Sequence, residues 1–141
     1  MTEAANERQV GGSHYKGSGY QHWDMAADAD LRHQEAAASK YLARWDLKGL
    51  PVEDLAKSVH YVEKLIELVF EGRRNAQQRA PTAQETMQFY CDSNGFSGPK
   101  RTALFVLVTW RNVRDLSVLI NMIREMLNVY NSEMPPSPGP G

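Results

Sequence analysis

SKYLARWDLKGLPVEDLAKSVHYVEKL, residues 39–65, is the stretch that decides how this chain folds. Its first part continues a segment from Asp28 to Lys48 that is rich in Ala, Leu, Gln, Glu, Lys and Arg and contains neither Gly nor Pro, a composition that favours helix. Gly49 is placed to stop that helix, and Pro51 suits the first turn of the next. From 51 to 71, Val52, Leu55, Val59, Val62, Ile66 and Val69 recur at three- and four-residue steps, the stripe of an amphipathic helix. Glu53 and Asp54 fall in its first turn, where the helix dipole favours carboxylates. A Gly-Leu-Pro turn this short makes the two helices antiparallel neighbours.

Working outward, the rest of the chain also reads as helix. Gly72 ends the second helix, and RRNAQQRAP at 73–81 is a charged connector. Thr82 followed by Glu85 predicts a capping box opening a short helix over about 82–92. DSNGFSGP breaks the chain, and Pro99 starts a last helix, predicted over about 99–130, that carries Leu104, Leu107, Val108, Val113, Leu116, Leu119, Ile120, Ile123 and Leu127. The expected fold is all-α: an antiparallel helical hairpin plus C-terminal helices, with a short Gly-rich loop or small hairpin near the N-terminus. Residues 1–10 read as a flexible arm, 11–72 as the hairpin domain, 73–130 as a helical extension for assembly, and 131–141 as a disordered Pro-rich tail.

Composition narrows the function classes. The 141 residues are 42% hydrophobic and 23% charged, which suits a globular domain. A formal net charge of −1 leaves no global attraction for duplex DNA or anionic lipid, so no bulk nucleic-acid binding and no membrane partner are expected, and any anion site must be local. The single cysteine, Cys91, fits a reducing cytoplasm and reads as an inert thiol. No signal peptide is visible in MTEAANERQV, and the longest apolar run, 103–108, is too short to span a bilayer. The four histidines have no tight spacing with Cys91 for zinc, and no G-x-S-x-G elbow appears. Because 103–108 is apolar on every side, that helix demands burial. A homo-oligomer that covers it, with sites shared between protomers, is the expectation.

The chemistry concentrates near the hairpin. Lys40, Arg44 and Lys48 are spaced by four and share one helix face, with Tyr41 and Trp45 beside them. Lys57, Tyr61 and Lys64 offer a matching row on the second helix. Such rows are commonly solvated faces paired with carboxylates such as Glu35, Asp46 and Glu53. They are also what grips phosphate oxygens while aromatic rings stack on bases. Upstream, GGSHYKGSGYQHWD at 11–24 interleaves glycines with hydrogen-bonding side chains. Glycine turns form anion-binding nests, and Ser13, His14 and Lys16 add donors, although no Walker A pattern occurs.

The ordered string GGSHYK, then KYLAR, then DLAKSVHY resembles a small phage-associated domain family, formerly of unknown function and typified by a phage nucleotide kinase. The family pattern is an H-Y-K loop, a K-Y-[LI]-x-R helix and a D-L-x-K-x-x-x-Y helix, and the resemblance covers about residues 9–68. It departs at Ala36, Ala37 and Ala38, where the family has Gly-Asn-Ala. The resemblance implies a nucleotide site of Ser13, His14, Tyr15, Lys16, Lys40, Tyr41, Arg44, Lys48, Lys57 and Tyr61. It implies a non-classical (deoxy)nucleoside monophosphate kinase using ATP with Mg²⁺ in the cytoplasm of a host bacterium; for such an enzyme Asp54, with Asp24 and Asp46 ranked behind it, is the expected metal holder. The same groups without metal or turnover describe a sponge that sequesters a cyclic-nucleotide or ADP-ribose-type immune signal. A third class is a helical interaction protein, which exposed Phe105, Trp110 and Met126 would support.

Overall fold

The computed structural model describes residues 19–47, 50–76 and 79–133, and every regular element among them is an α-helix. The elements are α1 (His22–Asp28), α2 (His33–Arg44), α3 (Pro51–Phe70), α4 (Ala83–Asn94), α5 (Gly98–Thr109) and α6 (Val113–Glu133). No helix among them is long and apolar enough to cross a membrane.

The hairpin forms as the turn signals direct. Pro51 stands at the first turn of α3, with the Asp54 N–H donating to the Leu50 carbonyl at 3.0 Å. Contacts between α2 and α3 run in opposite senses: Arg44 meets Asp54 and Ala38 meets Ser58. Small buried residues, Ala38, Ser39 and Ala43 on α2 and Ser58 on α3, let the backbones approach. The Ser58 hydroxyl lies 3.1 Å from its own helix's Asp54 carbonyl and 3.4 Å from the Ala38 carbonyl across the seam. Gly72 ends α3 at φ +71°, with Gly72 N–H donating to Val69 O and Arg73 N–H to Leu68 O, a Schellman motif.

Several sequence expectations are corrected. The helix predicted over 28–48 is shorter, because α1 ends at Asp28 and α2 starts only at His33. Asp30 adopts φ +53°, and Leu31 N–H donates back to Ala26 O, so α1 closes in the manner usually reserved for glycine. Its partner α2 ends at Arg44, while Lys48 and Gly49 lie outside the described residues. Helix begins at His22; the short Gly-rich loop or small hairpin expected near the N-terminus falls mostly on residues 11–18, which lie outside the described residues. The Thr82–Glu85 box does not close: Thr82 has ψ 10° and its side chain makes no cap bond among the described residues. On α3 the core stripe is rotated from the predicted one, because Leu65 and Leu68 are buried while Val52 is exposed.

The helix predicted over 99–130 also breaks, at Trp110–Asn112. Trp110 is extended (ψ 145°), the Asn112 side chain accepts the Asp115 N–H at 3.0 Å, and the Asp115 carboxylate accepts the Arg111 N–H at 2.8 Å. That reciprocal pair starts α6. The break lets α5 become the central helix. Ala103, Leu104, Leu107 and Val108 are buried within one chain, packed among α2, α4 and α6. Phe105 and Val106 of the same run stay half-buried. Trp110 (1% exposed) and Met126 (6%) are interior and Phe105 is half-buried, so the three do not stand exposed as expected. One hydrophobic cluster runs from Met25 to Met126 across the 72/73 boundary. α6 continues through Glu133, so residues 131–133, read as tail, are helical.

Candidate functional site

Helical geometry brings one group of predicted residues together. Lys40, Tyr41 and Arg44 lie within one turn of α2; Asp54, Lys57 and Tyr61 lie on one face of α3 at steps of three and four. The Tyr41 and Tyr61 rings are stacked, with centroids 6.1 Å apart and planes 9° from parallel. Around the Tyr41 ring stand the Arg44 guanidinium at 4.7 Å, Lys57 Nζ at 5.1 Å and Lys40 Nζ at 5.9 Å. Each such cation–π contact at an exposed site contributes about 0.5–1 kcal/mol. His33 and His60 meet Tyr61 edge-on, both at 5.9 Å.

The charge balance of this cluster is positive. Arg44 Nη2 lies 3.4 Å from Asp54 Oδ1, and Asp54 is fully buried. Among the described residues, neither Lys40 nor Lys57 forms an ion pair. Of the carboxylates that a solvated ladder would use, Glu35 is engaged with Arg74 and Asp46 with Lys100, while Glu53 is exposed on the first turn of α3 and forms no ion pair among the described residues. Lys64 pairs with Glu67 at 3.7 Å and stands apart from the tyrosine pair.

Asp54 does not fit the magnesium role. It is sealed beneath the Arg44 side chain, whereas Mg²⁺ keeps several waters and needs oxygens it can reach. No group of three or more His, Cys, Asp and Glu side chains is gathered for a metal among the described residues. Asp54 acts on Arg44 instead, holding the guanidinium against the tyrosine.

The described end of the glycine stretch is anchored beside this cluster. The Tyr20 hydroxyl donates to Asp28 at 2.7 Å, and the Tyr20 ring packs edge-on against Phe89. His22 Nε2 lies 2.7 Å from Ser39 Oγ, whose own hydrogen goes to the Ala36 carbonyl at 2.9 Å. With the Ser39 hydrogen on Ala36, His22 Nε2 is assigned as the donor to Ser39 Oγ. Burial, and then the Lys40 charge, push its pKa down to about 4. Ser13, His14, Tyr15, Lys16 and Lys48 lie outside the described residues.

Sequence reading missed a second polar centre. Arg74, from the connector, reaches Glu35 with Nη2 at 2.7 and 2.8 Å, and Trp110 Nε1 donates to the same carboxylate at 3.2 Å. Both charged side chains are almost fully buried. Lys100 is interior too, donating to the Ala43 carbonyl at 2.8 Å near the C-terminus of α2, where a cation is favoured. Cys91 behaves as expected: burial pushes its thiol up to about 11.

No family model matches the chain, and neither a curated protein nor a solved structure matches it. Fold and site together define a six-helix domain, among the described residues, with a cationic surface cluster built on a tyrosine pair.

Proposed function

We propose that this chain binds a nucleotide at the Tyr41–Tyr61 face, with Lys40, Arg44 and Lys57 on the phosphates. The observation that supports this reading is the convergence of three cations on one tyrosine ring, with Asp54 the carboxylate that pairs with them among the described residues. Such a cluster carries unneutralised positive charge next to an aromatic face, the pairing a phosphorylated base requires. On this reading the reaction is phosphoryl transfer to a (deoxy)nucleoside monophosphate. That chemistry depends on charge and alignment and asks no nucleophile of the protein. Sequestration of a nucleotide-derived signal is the second reading, and the sealing of Asp54 against Arg44 favours it by leaving the metal without its expected holder.

A thermal-shift screen of mononucleotides, triphosphates and cyclic dinucleotides, with and without Mg²⁺, tests the binding. Ligand at a hundred times its Kd stabilises by about 2.7 kcal/mol. Lys57→Gln and Lys40→Gln, both exposed, should each weaken the affinity about tenfold without unfolding the chain. Chromatography of the incubated nucleotides separates the two outcomes: a new diphosphate marks transfer, and unaltered ligand marks sequestration. No stabilisation by any nucleotide would sink both.

A further inference from the structure

The connector RRNAQQRAP sends its arginines to three different fates. Arg73 pairs with Glu71 at the surface and Arg74 is buried on Glu35. Arg79 lines a hollow of about 300 Å³ between the connector, the first turn of α4 and the α5–α6 turn, together with Arg111, Gln84, Pro81 and Val108. The volume lies at the small end for ligand pockets.

Arg79 is held in place. Its Nη1 donates to the Trp110 carbonyl at 2.7 Å, and its guanidinium lies 5.8 Å from the Trp110 ring centroid. A guanidinium fixed in this way keeps its other N–H groups oriented for a planar oxyanion edge. Neither Arg79 nor Arg111 forms an ion pair among the described residues. The nearby carboxylates are committed: Glu35 to Arg74 and Trp110, and Asp115 to the Arg111 backbone N–H. Burial lowers the Arg79 pKa, Glu35 opposes that, and the Arg111 and Arg74 charges lower it further. Arg79 thus feels two neighbouring arginines and one carboxylate, and that carboxylate is bonded to Arg74.

We propose that this hollow is a second anion site, distinct from the tyrosine face, that binds a phosphate group between the Arg79 and Arg111 guanidinia. Two forks require an anion with more than two acceptor oxygens, and the Gln84 amide supplies a further donor at the rim. The positive end of α4 adds to the potential there. Phosphate, free or as the head of a small phosphomonoester, has the charge, the oxygens and the size.

Titration of the full chain with inorganic phosphate at constant ionic strength tests the site. The readout is the Arg79 side-chain N–H resonance in ¹⁵N spectra. The expected result is a saturable shift that Arg111→Gln weakens about tenfold and that Lys57→Gln, at the tyrosine face, leaves unchanged. Arg111 is exposed and its side chain supports no contact of the fold described above, so this variant should keep the wild-type melting temperature. Phosphomonoester in place of inorganic phosphate should give the same Arg79 shift. A shift reproduced by chloride, a titration without saturation, or equal affinity in Arg111→Gln would overturn the proposal.

Discussion

Replacing His22 by Gln should change how stability depends on pH. Gln places an amide N–H near the position of His22 Nε2, within reach of Ser39 Oγ, yet cannot take a proton. In the unfolded chain His22 titrates at its ordinary value of 6.5; in the fold, burial and then Lys40 hold it down to about 4. The folded state thus binds fewer protons than the unfolded state between those values, so stability must fall as the medium is acidified. The contribution is fully present above 6.5 and is lost as pH drops through the folded pKa. At about 1.4 kcal/mol for each tenfold change in proton binding, the gap amounts to about 3 kcal/mol. Urea unfolding of both proteins at half-unit intervals from pH 7.5 to 4 measures it, and the difference between variants removes the shared titration of carboxylates. Wild type and His22→Gln should agree within about 1 kcal/mol at pH 7, with the variant gaining steadily below 6.5. Parallel curves across the whole range would refute the reasoning, because they would mean that the imidazole accepts its proton without leaving its place on Ser39.

Two further outcomes follow from the core. Leu107→Ala removes a fully buried side chain from the central helix and should cost about 2–5 kcal/mol, seen as a lower urea midpoint with an unchanged slope. Arg74→Met leaves Glu35 charged in the interior with only the Trp110 N–H, a loss of about 3–5 kcal/mol. Glu35→Gln turns one of the two oxygens that accept from Arg74 Nη2 into a donor and leaves the buried Arg74 charge unpaired, so thermal melts should show a loss of the same order.

How much of this was legible depends on whether the signal was local. The cation cluster was readable because i, i+4 spacing on two helices joined by a Gly-Leu-Pro turn leaves little choice about which side chains meet. Asp30 gave no warning: it is neither Gly nor Pro, and its left-handed backbone shows only in the fold. The break before α6 did carry a signal, since Asn112 and Asp115 have the three-residue spacing of a capping pair. The apolar residues running through it on both sides masked the pair. Buried charges were not readable. Arg74 finds Glu35 across 39 positions and Lys100 finds Asp46 across 54, and nothing in a single sequence distinguishes such residues from surface ones. The apolar circumference of α5 announced burial correctly. The break at Trp110–Asn112, which the apolar pattern hid, allows α6 to fold back over α5 and bury Leu104 and Leu107, while Phe105 and Val106 stay half-buried.

The same geometry that closes the hairpin explains why its outer edge is charged. Ala38, Ala43 and Ser58 occupy the inner side of the α2–α3 seam, where only small side chains permit close packing. The long side chains at 40, 41, 44, 57 and 61 are consequently displaced to one margin, where the tyrosines stack and the cations lie against them. Among the described residues, repulsion among Lys40, Arg44 and Lys57 is offset by cation–π attraction and by the Asp54 carboxylate. Cation–π contacts attract each charge to the ring but do not neutralise it, so the repulsion persists in the ligand-free fold. An anion placed among the three removes that term and gains charge-assisted hydrogen bonds at once. A nucleotide would therefore stabilise the seam itself, so that melting temperature reports on occupancy of the face.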